Sequence, residues 1–177
     1  RTGLRVADPR RPYVVVSNHE SFADILLISH LPFEMKWLSK VEILKIPLIG
    51  WMMRMAGDIP IKRGFGPSAA EAMERCRASL RKRVSVIFFP EGTRSVDANM
   101  LPFKAAAFRL AIEAGAPSLP LAVAGTRTAL PKHDWRFNPA RAIVEVLPPI
   151  ETSGLTLEDL PQLKERVRAT IQAARDA

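Results

Sequence analysis

The sequence predicts an α/β domain in which a mostly parallel, mixed sheet is flanked by helices. Short apolar runs rich in β-branched residues alternate along the chain with segments of helical periodicity, the order expected of such folds. The runs are apolar at consecutive positions, which is typical of strands buried on both faces. The chain has 177 residues with no internal repeat and no long linker, so we predict one domain spanning residues 1–177.

The strands are predicted where a short apolar run is bounded by turn residues. The runs that meet this description are Tyr13–Ser17, Met35–Leu38, Ile59–Ile61, Val84–Phe89, Ser118–Ala124 and Ala142–Leu147. The helices are predicted where apolar residues recur at intervals of three and four. These segments are Phe22–His30, Val41–Met55, Ser68–Arg83, Lys104–Ala114 and Leu157–Ala174. Ser21 and Asp24 supply a capping-box pattern at the start of the first helix.

Composition restricts the classes of function. The formal net charge is +8, which favours an anionic partner such as nucleic acid, a phosphorylated metabolite or an acidic lipid headgroup, although a merely basic soluble protein is the alternative. No aromatic–basic platform or helix-turn-helix pattern is present, so we predict no nucleic-acid partner. The single cysteine, Cys76, excludes an internal disulfide. No apolar run reaches the roughly 18 residues of a membrane-spanning helix.

Two polar clusters follow predicted strands. Residues 18–21 (NHES) come after the first strand, and residues 90–95 (PEGTRS) come after the strand that ends at Phe89. Ligands in open α/β sheets bind at the carboxyl ends of the strands. Because parallel strands bring these ends to one edge, we expect the two clusters to lie close together.

The first cluster can act as a base. If Asp24 turns toward the preceding loop, its carboxylate can accept a hydrogen bond from one imidazole nitrogen of His19. The other nitrogen is then free to take a proton from a hydroxyl group, and this hydroxyl must belong to the substrate because the pattern contains no protein nucleophile. The alternative is that Asp24 only starts a helix and His19 is an ordinary loop residue.

The second cluster can bind a phosphate. Backbone amides in a tight turn at Gly92, together with Thr93 and the permanently charged Arg94, could form a phosphate-binding site. Lys62 and Arg63 add two cations at the end of another predicted strand. The alternative is an ordinary surface turn with exposed basic residues.

Four blocks, in this order, resemble the signature blocks of the glycerolipid acyltransferases, particularly the lysophosphatidic acid (1-acylglycerol-3-phosphate) acyltransferases. "NHESFAD" is similar to the family's N-H-x4-D block, and "GDIPIKR" to the block that ends in a substrate-contacting arginine. "FPEGTRS" is similar to the E-G-T-R block, and "APSLPLAV" to an apolar block around a proline, here Pro120. The resemblance extends from about Tyr13 to Ile150.

The resemblance implies a glycerol-3-phosphate acyltransferase-like fold and an O-acyltransferase activity. A fatty acyl group would move from acyl-CoA or acyl-carrier protein to the free hydroxyl of a lysophospholipid. The acceptor that it favours is 1-acylglycerol-3-phosphate, which would become phosphatidic acid. Neither a metal nor a cofactor is implied beyond the acyl donor.

The same resemblance implies roles for individual residues. His19 and Asp24 occupy the catalytic positions. The positions implied to bind substrate are Arg63, Glu91, Gly92, Thr93 and Arg94. Additional substrate contacts are expected at Asn18, Lys62 and Lys104.

The chain departs from the family pattern at two places. Pro60 occupies a position that is usually apolar, which raises the prospect of a distorted strand before Arg63. Ala105 and Ala106 stand where relatives often have a basic residue and a glycine, so Lys104 is the only cation there. The second departure leaves the preferred headgroup open.

A membrane surface is a further expected partner, with the protein at the cytoplasmic face. The segment 43–53 combines apolar residues with the flanking cations Lys40, Lys45 and Arg54, a pattern that suits a helix pair resting among lipid headgroups. A proline-bent core helix with a basic rim is the alternative. Relatives commonly carry an N-terminal hydrophobic anchor, and the chain begins at Arg1, so we expect either a piece of a longer protein or a peripheral domain.

Other functions remain open at this point. The same dyad could activate water, which would make the protein a hydrolase. The acceptor could be another lysolipid, such as lyso-ornithine lipid, or the chain could be a catalytically idle lipid-binding domain. The basic run around Arg75, Arg77, Arg81, Lys82 and Arg83 could meet a CoA phosphate or an acidic acyl-carrier protein, or it could be a solvated helix face.

Overall fold

The computed structural model describes residues 8–62, 64, 66–95, 99–131 and 136–176. Its six-stranded sheet has the order β3-β2-β4-β1-β5-β6. The strands are β1 (Val14–Ser17), β2 (Met35–Lys40), β3 (Ile59–Ile61), β4 (Ser85–Phe88), β5 (Ser118–Ala124) and β6 (Ile143–Val146). Neighbouring strands are parallel, except that β6 runs antiparallel to β5. The prediction of a mostly parallel mixed sheet is therefore confirmed.

Helices connect the strands. They are α1 (Ala23–Ile28), α2 (Ile49–Ala56), α3 (Gly66–Arg81), α4 (Ala106–Ala114), α5 (Thr126–Ala129) and α6 (Leu160–Asp176). Two short 3₁₀ turns, Val41–Lys45 and Leu157–Asp159, precede α2 and α6. All of the predicted strands and helices are present with small shifts at their ends, apart from one predicted helix that is divided.

The divided helix is Val41–Met55, which the structure splits into the 3₁₀ turn and α2. Ile46 is extended because the residue before a proline, here Pro47, is disfavoured in the helical region. Leu48 then has a positive φ of 67° before α2 begins. Gly50 permits the close approach of the two pieces, since a Cβ there would lie 2.1 Å from the carbonyl oxygen of Leu44.

The central strands β1, β4 and β5 are buried on both faces, as the consecutive apolar residues predicted. Val14 and Val16 pack into the cluster that α3, α4 and α6 cover. Val15 points to the opposite face, where Ile28 of α1 packs against it. Cys76 of α3 is part of the first cluster, and burial raises the pKa of its thiol to about 12. This thiol stays protonated at neutral pH and serves packing.

Pro60 does not interrupt the sheet. It pairs with Ser39 in the parallel register between β2 and β3. A missing N–H is tolerated here because β3 is an edge strand of the described sheet. The distortion considered from the sequence is therefore not present in β3. Arg63, the predicted substrate contact that follows this strand, lies outside the described residues.

Three residues of the basic run on α3 make contacts that fix the helix. α3 runs from the end of β3 back to the start of β4, so its basic half lies at the amino edge of the sheet. Arg75 donates to the carbonyl of Asp58 at 3.2 Å, and Arg81 donates to Glu74 at 2.9 Å. Arg77 pairs with Glu113 of α4. These contacts favour a structural role over the contact with a CoA phosphate or carrier protein.

The two polar clusters leave the sheet side by side. β1 and β4 are adjacent and parallel, with Val16 opposite Phe88 at their carboxyl ends. β5 lies on the other side of β1 and ends at Ala124 in the same direction. The loops that follow these three strands therefore meet at one edge of the sheet.

Candidate active site

Asn18 anchors the first loop to the sheet. Its side-chain nitrogen donates to the carbonyl of Val123 at 2.8 Å, and its side-chain oxygen accepts from the N–H of Val123 at 2.8 Å. The residue is buried. The side-chain amide of Asn18 thus extends the pairing of β1 with β5, and a substrate contact of this residue stays a prediction.

His19 and Asp24 form the predicted dyad. Nδ1 of His19 lies 2.8 Å from Oδ2 of Asp24, whose side chain is fully buried, whereas the side chain of His19 is 16% exposed. Because the carboxylate holds Nδ1–H, Nε2 is the ring nitrogen available to a substrate proton. The ring stacks on Phe89, with centroids 4.0 Å apart and planes 15° apart. Phe89 thus fixes the plane of the imidazole.

The carboxylate of Asp24 is held by several donors. Its Oδ2 also accepts from the N–H groups of Glu20 at 2.8 Å and Ser21 at 3.0 Å. Its Oδ1 accepts from the hydroxyl of Thr126, which follows β5. The predicted capping box forms only in part. The hydroxyl of Ser21 accepts from the N–H of Ala23 at 3.2 Å, whereas Phe22, the residue just before α1, has no side-chain cap. Asp24 therefore holds the turn that leads into α1 and also orients the histidine.

Glu91 joins the second loop to the first. Its Oε1 accepts from the N–H of His19 at 2.8 Å, and its Oε2 accepts from the N–H of Leu101 at 2.8 Å. Burial raises the pKa of Glu91, although the two backbone donors oppose that shift. Because both oxygens accept from backbone groups and the side chain is buried, the geometry gives Glu91 a role in positioning the histidine loop. Its substrate contact stays a prediction.

The second loop forms hydrogen bonds with both backbone groups of His19. Its N–H donates to Glu91, and its carbonyl accepts from the N–H of Ser95 at 3.1 Å. Arg94 precedes Ser95, so the chain places it beside the histidine loop. The Ser95 hydroxyl in turn accepts from Arg127 of α5 at 3.0 Å. The expected convergence of residues 18–21 and 90–95 is confirmed for their backbones.

The turn at Gly92 forms a cationic rim beside the dyad. Gly92 has a φ of +76°, and a Cβ there would lie 2.7 Å from Nζ of Lys104. Lys104 is held at this point because its N–H donates to the carbonyl of Pro90 at 2.9 Å. Thr93 is exposed and Arg94 is half-buried. The side chains of Thr93, Arg94 and Lys104 are therefore open to a bound anion.

Lys62 is not brought against the histidine. It follows β3 at the edge of the sheet, three strand positions from β1, which corresponds to roughly 14 Å at the usual spacing. Its side chain is exposed, and its N–H donates to the Ser68 hydroxyl at 3.0 Å. From this position, Lys62 could contact only a part of the substrate that lies far from the reacting hydroxyl group.

Sequence reasoning missed two contributors to the site. Thr126 supports Asp24, and Phe89 supports His19. The only signal for either was position, since both lie at the carboxyl end of a parallel strand. In the ranges that the structure covers, no three histidine, cysteine or acidic side chains come together in a way that could hold a metal ion.

The arrangement is suited to removing a proton from a bound hydroxyl group. An imidazole is oriented by a buried carboxylate, its second nitrogen is open, and neither Ser, Thr nor Cys is seen bonded to it in the described part of the chain. The backbone amides of the neighbouring turn and the cations of the rim suit negative charge.

Comparisons with known proteins agree with this geometry. The family model described as Acyltransferase matches residues 2–124. A chloroplastic 1-acyl-sn-glycerol-3-phosphate acyltransferase of Brassica napus is 44% identical over 120 residues, which are 68% of this chain and 35% of that protein. The 1-acyl-sn-glycerol-3-phosphate acyltransferase alpha of Homo sapiens is 40% identical over 162 residues, which are 90% of this chain and 57% of that protein.

A solved structure shares the fold. The crystal structure of the 1-acyl-sn-glycerophosphate acyltransferase PlsC from Thermotoga maritima superposes with a TM-score of 0.77 at 31% identity. The match covers 92% of this chain and 65% of that chain. The chain thus spans about a third to just over half of the two curated relatives. From the matched family model, the sequence identities and the shared fold, we conclude that this chain belongs to the acyltransferase family.

Proposed function

We propose that the protein transfers a fatty acyl group from a thioester to the free hydroxyl of 1-acylglycerol-3-phosphate, giving phosphatidic acid. The observation that carries the proposal is the buried Asp24 held 2.8 Å from Nδ1 of His19, with Nε2 left open. The names of the relatives from Brassica napus and Homo sapiens support this acceptor. The acyl donor is acyl-CoA or acyl-carrier protein, and the reaction needs no further cofactor.

His19 acts as the general base. Its Nε2 takes the proton of the acceptor hydroxyl while the hydroxyl oxygen attacks the thioester carbonyl carbon. The carbonyl oxygen becomes an oxyanion, for which each well-placed donor contributes about 3–4 kcal/mol of stabilisation. When the carbon–sulfur bond breaks, the proton passes from the imidazolium to the thiolate leaving group. Asp24 stabilises the imidazolium that forms between these steps.

The cationic rim holds the acceptor phosphate. Arg94 and Lys104 lie in segments bonded to the histidine loop or to the turn beside it. Arginine suits this role because its planar guanidinium can donate two parallel hydrogen bonds to a phosphate. Arg63, outside the described residues, stays a predicted third cation. A phosphate on this rim would leave the glycerol hydroxyl directed toward His19.

The experiment is a substrate screen with the purified chain. Lysolipids with and without a phosphomonoester, lyso-ornithine lipid among them, are incubated with acyl-CoA or acyl-carrier protein, and products are quantified by mass spectrometry. We expect phosphatidic acid from 1-acylglycerol-3-phosphate. Arg94→Ala should raise KM for this acceptor by about 10- to 100-fold, the loss expected for a charged hydrogen bond. Free fatty acid as the main product would identify a hydrolase instead, and no product with any acceptor would favour an idle lipid-binding domain.

A lipid surface is the second partner that we propose. Helix α2 and the residue before it leave large apolar side chains exposed, namely Leu48 (67%), Trp51 (61%), Met52 (57%) and Met55 (69%). Lys40, Lys45 and Arg54 flank them. Side chains of this kind enter the headgroup region of a bilayer, and nearby cations attract anionic lipids. The face would rest on the cytoplasmic leaflet, where both acyl donors occur.

No helix in the described ranges has both the length and the apolar composition needed to cross a membrane. The interfacial interpretation of segment 43–53 is favoured over the core-helix alternative by the exposure of its side chains, since α2 buries only Gly50.

Trp51→Glu combined with Met55→Glu should weaken binding to anionic vesicles at least about tenfold, because two large apolar groups then carry charge instead of entering the bilayer. Liposome flotation with phosphatidylglycerol vesicles measures the bound fraction. Phe137→Glu is the matched control, since Phe137 is 64% exposed on another part of the surface. Equal losses in the two variants, or no binding by the unmodified protein, would contradict this docking surface.

A further inference from the structure

The end of helix α6 reaches the catalytic loop. Nη2 of Arg175 lies 2.8 Å from Oε1 of Glu20, the residue that follows His19. The two side chains are only 9% and 7% exposed, so this is a buried ion pair. The family model ends at residue 124, and the four signature blocks end before Ile150. Neither the family model nor the signature blocks assign a role to Arg175.

Glu20 is tied to Asp24 by its backbone and by a shared neighbour. Its N–H donates to Oδ2 of Asp24 at 2.8 Å. Its Oε2 lies 3.5 Å from the hydroxyl of Thr126, and that hydroxyl donates to Oδ1 of Asp24. A movement of Glu20 would therefore disturb the hydrogen bonds that orient the dyad carboxylate.

Two carboxylates thus lie close together in a buried place. Asp24 is fully buried and pairs with His19, whereas Glu20 pairs with Arg175. A buried carboxylate is stable in its charged form only when a cation or several donors compensate it. Arg175 supplies this compensation at Oε1, whereas Thr126 lies at Oε2. Without the guanidinium, the charge on Glu20 would act on the Asp24 site and loosen the loop.

We infer that Arg175 and Glu20 are positioning residues, through which helix α6 fixes the loop of His19 and Asp24. The inference rests on the proposed function for its kinetic test, since it concerns the geometry of the same base. Neither residue needs to touch the substrate. The part of the chain that is needed for full activity must then extend at least to Arg175.

The kinetic test compares three variants with 1-acylglycerol-3-phosphate and acyl-CoA. Arg175→Gln should lower kcat by about 10- to 100-fold, the usual cost of removing a partner that orients a functional side chain. KM for both substrates should stay within about twofold, because the substrate contacts are untouched. Arg175→Lys retains the charge and should recover most of the loss. Arg168→Gln is the control, because Arg168 pairs with Glu165 on the same helix away from the loop.

Two further measurements distinguish a variant that lowers stability from one that misplaces the loop. Glu20→Gln combined with Arg175→Gln removes both charges of this ion pair together, so it should fold, and its loss in kcat should not exceed that of the worse single variant. The ¹⁵N spectrum of the His19 ring should report the Nδ1–H tautomer in the unmodified protein and a mixture of tautomers in Arg175→Gln.

The spectrum also separates the two hypotheses. If the unmodified protein transfers no acyl group, the proposed function fails, and the ring spectrum still tests the positioning role. An unchanged tautomer in Arg175→Gln overturns the inference, and so does an unchanged kcat where the unmodified protein is active. A loss in Arg175→Gln that Arg168→Gln reproduces, or that follows the fraction unfolded in thermal melting, overturns it too.

Discussion

His19→Ala is expected to lower kcat for acyl transfer by about 10² to 10⁴, the usual contribution of a general base. The variant removes the open Nε2 and leaves the acceptor hydroxyl without a group to take its proton. KM for 1-acylglycerol-3-phosphate should change little, since the rim of Arg94 and Lys104 is retained. Steady-state kinetics with quantified phosphatidic acid provide the measurement.

His30→Ala is the matched control for this prediction. His30 follows α1, is exposed, and its Nδ1 lies 2.7 Å from the carbonyl of Leu26. Its removal should leave kcat within about twofold, because the ring lies outside the site. Near-normal turnover in His19→Ala would show that another group is the base. The backbone contacts of residue 19 with Glu91 and Ser95 survive the substitution, so the protein should fold.

Asp24→Asn is expected to lower both kcat and the free energy of unfolding. An amide carries no negative charge to stabilise the imidazolium that forms during the reaction, and replacing the carboxylate lowers kcat by about 10⁴ in hydrolases with the same pair. If the amide nitrogen faces Thr126, the hydroxyl can accept in place of donating, and the bonds from Glu20 and Ser21 weaken because their acceptor is now neutral. If it faces Glu20 and Ser21, each buried donor left unsatisfied costs about 1–3 kcal/mol of unfolding free energy.

Asp58→Asn is the control for Asp24→Asn. Asp58 is also buried, and its carboxylate accepts from the N–H of Trp37 at 2.9 Å, but it lies before β3 at the other edge of the sheet. Its substitution should leave kcat unchanged. Kinetics and thermal unfolding are measured together for both variants. A kcat for Asp24→Asn equal to that of the unmodified protein would remove Asp24 from the mechanism.

Much of the fold was accessible from the sequence because its signals are local. The central parallel strands are consecutive apolar runs, and the longer helices have their own periodicity, so most elements could be placed without knowing their partners. The dyad was accessible for the same reason, since His19 and Asp24 lie on either side of a helix start. Pro47 is also a local signal, and it splits the predicted helix Val41–Met55.

The remaining part of the site depends on which strands are neighbours. Asn18 and Glu91 look like substrate contacts in the sequence, yet both bond to backbone groups that strand pairing brings next to them. Thr126 and Arg175 reach the same loop from β5 and α6. Because these partners are distant in sequence, no spacing rule could have found them.

The central position of β1 has a consequence for synthesis on the ribosome. Val14 pairs with Val86 on one side and with Ser118 on the other. β1 is therefore translated before either of the strands with which it pairs. At about 5–20 residues per second, roughly 4 to 14 seconds pass between translation of Val14 and of Val86. An unpaired apolar strand invites aggregation during that interval. Chaperones that hold nascent chains should therefore matter more for the yield of this protein than for a fold whose sheet grows outward from neighbouring hairpins.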